Sequence, residues 1–404
     1  MRDPPCSSTF QAYRKHKIRF NQVTIRLPRV VVAIPVRNEV ELIGPCLRAL
    51  ALQNPMPDLV VLLLNNCSDG TAQKILDLQP ALKLQCQIVE CELSDAEANA
   101  GHARSLAMRH AAAGLSDHDV LVTTDADGRA DPNWLAANLA CIHRGADVVC
   151  GRAVIDASDA LSIPINLHED DARERQLSSL MDEVASIVDP DPNDPWPRHT
   201  EHSGASIAVT IDAWRRAGGV PAVACGEDRA FVDHLRRLDA RIRHEPSVHV
   251  TVSGRCHGRA AGGMADTIRR RIRQQDMFAD DAIEPVSDAY RRIVLRAETR
   301  ALWSGRHAGK TSAGYRRLAA SLSVRADVLR AAMANPAFGQ VWNDLERDCE
   351  VLRRRRLRFS ELPLEIHRAG KVLTDIRGRQ LGSDLPGLLG HAAWRPGSAS
   401  PVPA

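Results

Sequence analysis

Two hydrophobic rhythms alternate along the first third of the chain. RVVVAIPV (Arg29–Val36) and DLVVLLLNN (Asp58–Asn66) are almost unbroken apolar runs; LKLQCQIVEC (Leu82–Cys91) and DVLVTTDADG (Asp119–Gly128) are further extended stretches. Between them, EVELIGPCLRALALQ (Glu39–Gln53), GTAQKILDLQ (Gly70–Gln79) and ANAGHARSLAMRHAAAGL (Ala98–Leu115) repeat apolar residues at the spacing of one helix face. Apolar strands separated by helices predict an α/β fold with a mostly parallel sheet covered on both faces. In such sheets ligands bind beyond the carboxyl ends of the strands. Three polar clusters fall there: Pro35–Glu39, Asn65–Asp69 and Asp125–Asp127.

After about residue 260 the rhythm becomes purely helical, through AYRRIVLRAETRALW, AGYRRLAASLSVRADVLRAAM and ELPLEIHRAGKVLTDIRG. The expected organisation is an N-terminal segment (1–28), an α/β domain (29–258), a helical appendage (259–381) and a Pro/Gly/Ser/Ala-rich tail (382–404) expected to be disordered. The appendage is expected to cover the cleft, form a homodimer or dock a partner.

Composition narrows the function. Hydrophobic residues at 44% and charged residues at 25% describe an ordinary globular chain. The 53 basic and 50 acidic side chains nearly cancel and aromatics are only 4%, which argues against nucleic-acid binding. Ten scattered cysteines without CxxC or zinc-type spacing, no apolar signal core and no stretch long enough to span a bilayer predict a cytoplasmic protein with reduced thiols and no transmembrane segment. Arginine runs at Ile268–Gln275 and Val351–Phe359 read first as solvated helix faces; an anionic partner or peripheral membrane contact is the alternative.

Asp125 and Asp127 carry the sharpest chemistry. In an extended segment alternate side chains share a face, where two carboxylates repel unless a cation lies between them. Hard oxygen donors suit Mg2+ or Mn2+. A polar turn closing the strand is the rival reading. Likewise GED (Gly226–Asp228) opens an apparent helix, where acids either cap its positive end or supply a general base.

Five stretches, in order over roughly residues 29–255, resemble the family 2 glycosyltransferases. VVVAIPVRNEVELIGPCLRAL is similar to the family's first strand running into Pro-x-x-Asn-Glu. LNNCSDGT resembles its Asp-Asp-x-Ser-x-Asp-Gly-Thr strand tip, and GHARSLAMRHA its Gly-x-x-Ala-Arg-Asn helix. TTDADG matches its Asp-x-Asp, and CGEDRAFVDHL resembles its Glu-Asp segment. The resemblance implies a GT-A nucleotide-sugar-binding fold and metal-dependent transfer of a sugar from a nucleoside diphosphate. It assigns Pro35, Arg37, Asn38, Glu39, Asn65, Asn66, Asp69, Arg104, Asp125 and Ala126 to the nucleotide-sugar. Asp125 and Asp127, with His257, fall to the metal, and Asp228 to the base with Glu227 beside it.

The chain departs from that pattern at several positions. Asn65 and Asn66 replace aspartates and one residue is missing before Asp69, which weakens the case for UDP; UDP remains the favoured nucleotide, with GDP or dTDP as alternatives. Ser105 replaces an Asn, and no Gln-x-x-Arg-Trp follows the Glu-Asp segment, which speaks against a processive synthase. Asp189–Thr210 reads as the acceptor side through Trp196, His199 and His202, the rival reading being a rigid loop with Trp196 plugged into the core. Arg255 and Arg259 are candidates to grip the diphosphate, while His249 reads as strand packing. The acceptor's identity is open, and a sugar-phosphate nucleotidyltransferase or a retaining GT-A enzyme is the alternative function.

Overall fold

The computed structural model describes residues 28–256, 258, 263–305 and 312–381. One eight-stranded sheet organises it, in the order β3-β2-β1-β4-β7-β6-β8-β5. Strands β1 (Val30–Val36), β2 (Leu59–Asn65), β3 (Cys86–Cys91) and β4 (Val120–Thr123) are mutually parallel. Strand β5 (Arg129–Ala130) is an antiparallel edge on β8 (Ile242–Val252), and β8 runs parallel to β6 (Val148–Ile155). Strand β7 (Ile207–Thr210) is antiparallel to both β4 and β6. That reversal sets Ile207 beside Thr123, so the chain entering β7 lies at the carboxyl ends of β1, β2 and β4.

Period-two alternation explains why β1 is apolar throughout. Val30, Val32, Ile34 and Val36 pack with Ile43, Leu47 and Leu50 of α1 (Ile43–Ala51), Ile75 of α2 (Thr71–Leu82) and Trp134 of α4 (Trp134–His143). Val31 and Ala33 face the other way, towards Ala103, Ala107 and Met108 of α3 (Ala100–Ala111) and Phe231 and Leu235 of α8 (Glu227–Arg237). Both faces are dry, as expected for a parallel sheet. Two expected boundaries move. Helix α2 continues through Pro80 to Leu82 and closes on Lys83 in the left-handed region (φ 56°), so β3 starts only at Cys86. Strand β4 stops at Thr123, and Asp125–Gly128 is a turn closed by Gly128 N–H donating to the Asp125 carbonyl at 3.0 Å. The aspartates therefore owe their common placement to that turn and not to strand alternation.

The remaining helices are α5 (Ala157–Ala160), α6 (Ile165–Val188) and α7 (Ile211–Arg216), then α9 (Met264–Arg273), α10 (Val286–Ser304), α11 (Ser312–Ser321), α12 (Ala326–Ala332), α13 (Phe338–Asp348) and α14 (Leu362–Leu381). Helices α10 to α13 share a core built on Leu295, Leu318, Leu329, Val341 and Trp342. The 24-residue α6 joins both parts. Leu177 packs with Ile283, Leu362 and Ala369, and Val184 with Leu373 and Ile376 of α14. A second seam lies at α13. The Phe338 and Gly339 N–H groups donate to the Asp239 carboxylate at 2.7 and 2.6 Å, a cap supplied from beyond the helix. A Cβ on Gly339 would stand 1.9 Å from the Arg236 carbonyl, so only glycine lets the two helices approach this closely. Among the described residues no helix is long and apolar enough to cross a membrane.

Candidate active site

A cleft of about 1680 Å³ opens at the carboxyl ends of β1, β2 and β4. Pro35, Arg37, Glu39, Asn65, Arg104, Asp125, Ala126 and Asp127 line one part; Glu227, Asp228, His199 and His202 line another. Asp280, in the loop between α9 and α10, and the helical residues Arg292, Arg296 and Trp342 complete the wall, so the C-terminal helices border the cleft.

Two arginines organise the acidic side chains. Arg104, 5% exposed on α3, donates from Nε to Glu227 at 2.9 Å and from Nη2 to Asp125 at 2.6 Å. Its Nη1 donates to Thr123 Oγ1 at 2.9 Å and to the Gly204 carbonyl at 2.8 Å. Burial alone would lower its pKa, but the Asp125 and Glu227 carboxylates outweigh that and raise it. Arg255 forms the second clasp: Nη1 donates to Glu39 at 2.9 Å, and Nη2 lies 3.4 Å from Asp127. The Asp127 carboxyl is pushed up to about 7, first by burial and then by repulsion from Asp125 and Glu39, with Arg255 opposing. Two guanidinium groups, Arg104 and Arg255, thus meet four carboxylates, Glu39, Asp125, Asp127 and Glu227.

Asp228 sits in the first turn of α8 after Gly226, whose φ of 74° suits glycine. Its Oδ2 accepts from Gly204 N–H at 2.9 Å and its Oδ1 from Arg229 N–H at 2.8 Å. These bonds fix the carboxylate rather than merely terminating the helix.

Neutral imidazoles build the opposite wall. Buried His244 lies with Nδ1 2.8 Å from Asp194 Oδ2 and Nε2 3.1 Å from His202 Nε2. Burial, then Arg236, pushes the His202 pKa down to about 2. Burial, then His244, brings His199 to about 4. His199 Nε2 is buried without a hydrogen-bond partner. Nearby Asp182 is pushed up to about 7 by burial despite Arg198 and Thr200.

Not every sequence candidate reaches the cleft. Asn38 (φ 53°) uses Oδ1 to accept from Ser68 and Asp69 N–H at 2.7 and 3.3 Å, shaping the loop behind the β2 tip. Asn66 exchanges two hydrogen bonds with the Leu93 backbone, and Asp69 accepts from Val40 and Thr71 N–H. Trp196 is 39% exposed, so it neither plugs the core nor lines the cleft; Arg243 holds the carbonyls of Pro195 and Pro197 on either side. His249 stands in β8, 3.3 Å from Asp131 and outside the cleft. His257 and Arg259 lie outside the described residues, as do residues 1–27 and 382–404. Among the described residues no group of three or more His, Cys, Asp and Glu converges on a metal position. Asp182, Asp194 and His244 escaped the sequence reading because only burial and a long-range partner set them apart.

The eight-stranded mixed sheet flanked by helices, with a cleft at its strand tips, is a GT-A-type fold. Residues 31–187 match the family described as Glycosyl transferase family 2, which marks the α/β domain as that of a glycosyltransferase. Solved structures of similar fold include the mannosyltransferase PcManGT from Pyrobaculum calidifontis in complex with GDP-Man and Mn2+ (16% identity, 90% of this chain and 82% of that one, TM-score 0.41). Others are S. aureus TarS 1-349 in complex with UDP-GlcNAc (16%, 88% and 92%, TM-score 0.43) and glucosyl-3-phosphoglycerate synthase from Mycobacterium tuberculosis in complex with Mn2+, UDP-glucose and phosphoglyceric acid (14%, 61% and 79%, TM-score 0.37). Among curated proteins nothing matches.

Proposed function

We propose that the protein moves one sugar at a time from a nucleoside-diphosphate sugar to an acceptor hydroxyl with inversion, Asp228 acting as base. The observation that carries this reading is the meeting of Asp125, Asp127 and Asp228, from two distant chain segments, in one cleft. Asn65, buried at the β2 tip, offers a donor and an acceptor to a nucleobase edge, and UDP is the favoured nucleotide. Asp125 and Asp127 would hold Mn2+ or Mg2+. Their hard oxygen donors fit a divalent ion, as does the repulsion by Asp125 and Glu39 that adds to burial in raising the Asp127 carboxyl. The chemistry such an ion would supply there is neutralisation of the diphosphate charge.

This chain's own groups do the rest. Gly204 and Arg229 N–H groups aim the Asp228 carboxylate. It takes the proton of the acceptor hydroxyl while that oxygen bonds to the anomeric carbon and the bond to the diphosphate breaks on the opposite side. Arg104 is a positioning residue, spacing Asp125 from Glu227. His199 and His202, held neutral, present uncharged polar edges to the acceptor.

The test pairs binding with turnover. Calorimetry with UDP-, GDP- and dTDP-sugars plus Mn2+ identifies the donor, and the anomeric proton coupling reads the product's configuration. Asp228→Asn should keep donor affinity and lose at least ~10²-fold in turnover. Wild-type turnover in the folded variant, or a retained configuration, overturns the assignment.

A further inference from the structure

Beside the cleft the surface breaks the usual rule for apolar side chains. Leu161 is 88% exposed and Ile165 72%, on the turn leading from α5 into α6. Between them Ile163 is buried, packing with Leu167 and with Ile268 of α9. Met264, Ile268 and Ile272 recur at four-residue spacing along one face of α9. Ile268 is anchored by that small cluster, while Met264 and Ile272 on either side remain 47% and 42% exposed. Val154, 47% exposed, continues the patch at the end of β6, and Val154 and Met264 both line the cleft. An exposed apolar surface of this kind marks an interaction site.

Charge says what it meets. Helix α9 carries Arg269, Arg270, Arg271 and Arg273. Asp266 pairs with Arg269, and Asp276 is shared by Arg270 and Arg271. Arg271 also lies 3.9 Å from Glu174, whereas Arg273 has no carboxylate partner among the described residues. The other arginine run differs. Arg354 lies 3.6 Å from Glu284, Arg355 3.2 Å from Asp288 and Arg356 3.0 Å from Asp281, with Arg356 also stacked over Phe278. Those three arginines hold their own segment down. The run on α9 is coupled to apolar side chains that point into solvent.

We propose that α9 and the Leu161–Ile165 turn form a docking face for an anionic membrane surface, with Leu161, Ile165 and Ile272 entering the headgroup layer and the α9 arginines meeting lipid phosphates. A basic amphipathic helix lying in the interface binds through apolar burial plus attraction to anionic lipid, without spanning. Because Val154 and Met264 belong to both surfaces, docking sets the cleft mouth against the membrane, where an acceptor carried by a lipid is within reach. This goes beyond the sugar-transfer reading, and the docking itself does not depend on it.

The experiment is co-sedimentation of the full chain with vesicles of phosphatidylcholine alone and of phosphatidylcholine mixed with phosphatidylglycerol, at low and high salt, alongside sedimentation equilibrium without lipid. The wild-type chain is expected to pellet with the mixed vesicles, to stay in solution with neutral ones, and to release as salt rises. The exposed pair Leu161→Ser/Ile165→Ser and, separately, Arg273→Glu should lower the bound fraction at least tenfold. Donor binding and the thermal midpoint should stay unchanged, since none of these residues lines the cleft. Absence of binding to mixed vesicles, equal binding to both compositions, or wild-type binding by either variant overturns the proposal. A lipid-free dimer that Leu161→Ser/Ile165→Ser dissociates also overturns it, in favour of a second copy on this face.

Discussion

Asp127→Asn should stabilise the metal-free protein, and increasingly so as the pH rises. The folded-state pKa of Asp127 stands at about 7 against an ordinary 3.8. Between those values the folded chain keeps a proton that the unfolded chain has released. Stability therefore falls as pH rises through this window, and the full penalty is present above it. Three units correspond to roughly 4 kcal/mol at most, at 1.36 kcal/mol per unit. Asn never carries this penalty, but it gives up the attraction of Arg255 at 3.4 Å. A net gain of about 1–3 kcal/mol near pH 8, shrinking towards pH 5, is what remains. Urea denaturation of both proteins with a chelator present, at the two pH values, measures it. Adding Mn2+ should then stabilise the wild type and leave the variant nearly unmoved, because the ion competes with the proton for the same oxygens. A variant no more stable than wild type at the higher pH, or a gain independent of pH, would refute the reasoning.

Arg104→Ala leaves Asp125 and Glu227 without their shared cation and should cost about 3–5 kcal/mol in denaturant unfolding. Arg104→Lys should recover only part of this, since one ammonium cannot reach all four partners; a wild-type midpoint in either variant would show the clasp to be idle. Asp239→Ala removes the cap of α13 and should cost ~1 kcal/mol, with faster proteolysis of the C-terminal helices as the local readout. Unchanged proteolysis would mean that α13 holds without it.

The parallel half of the sheet was legible because each of its strands is an apolar run flanked by a helical rhythm. Strand β7 was not, since IAVT is too short to carry a period and its place depends on pairing with β4 and β6. The Asp pair was legible as two carboxylates near a strand tip but not in its geometry: local sequence does not tell a strand end from a turn one residue later. Partners were the least visible part. Arg104 and Glu227 are 123 residues apart, and Arg255 and Glu39 are 216 apart. Nothing in either segment alone announces the other. Helix α6 hid for another reason: buried Asp170 and Glu174 interrupt the apolar stripe that ends in Leu177 and Val184.

That helix bears on how the protein can be cut. A fragment ending at residue 258 keeps every strand of the sheet, yet it strips α14 from α6 and leaves Leu177 and Val184, 1% and 0% exposed in the whole chain, facing water. It also removes the ion pairs of Arg296 and Arg300 with Asp189. Exposing two such side chains costs roughly 3–6 kcal/mol, a large fraction of a typical domain's margin. The α/β half is thus not a portable module, and swapping the C-terminal helices for those of another protein requires redesigning the face of α6 that they cover.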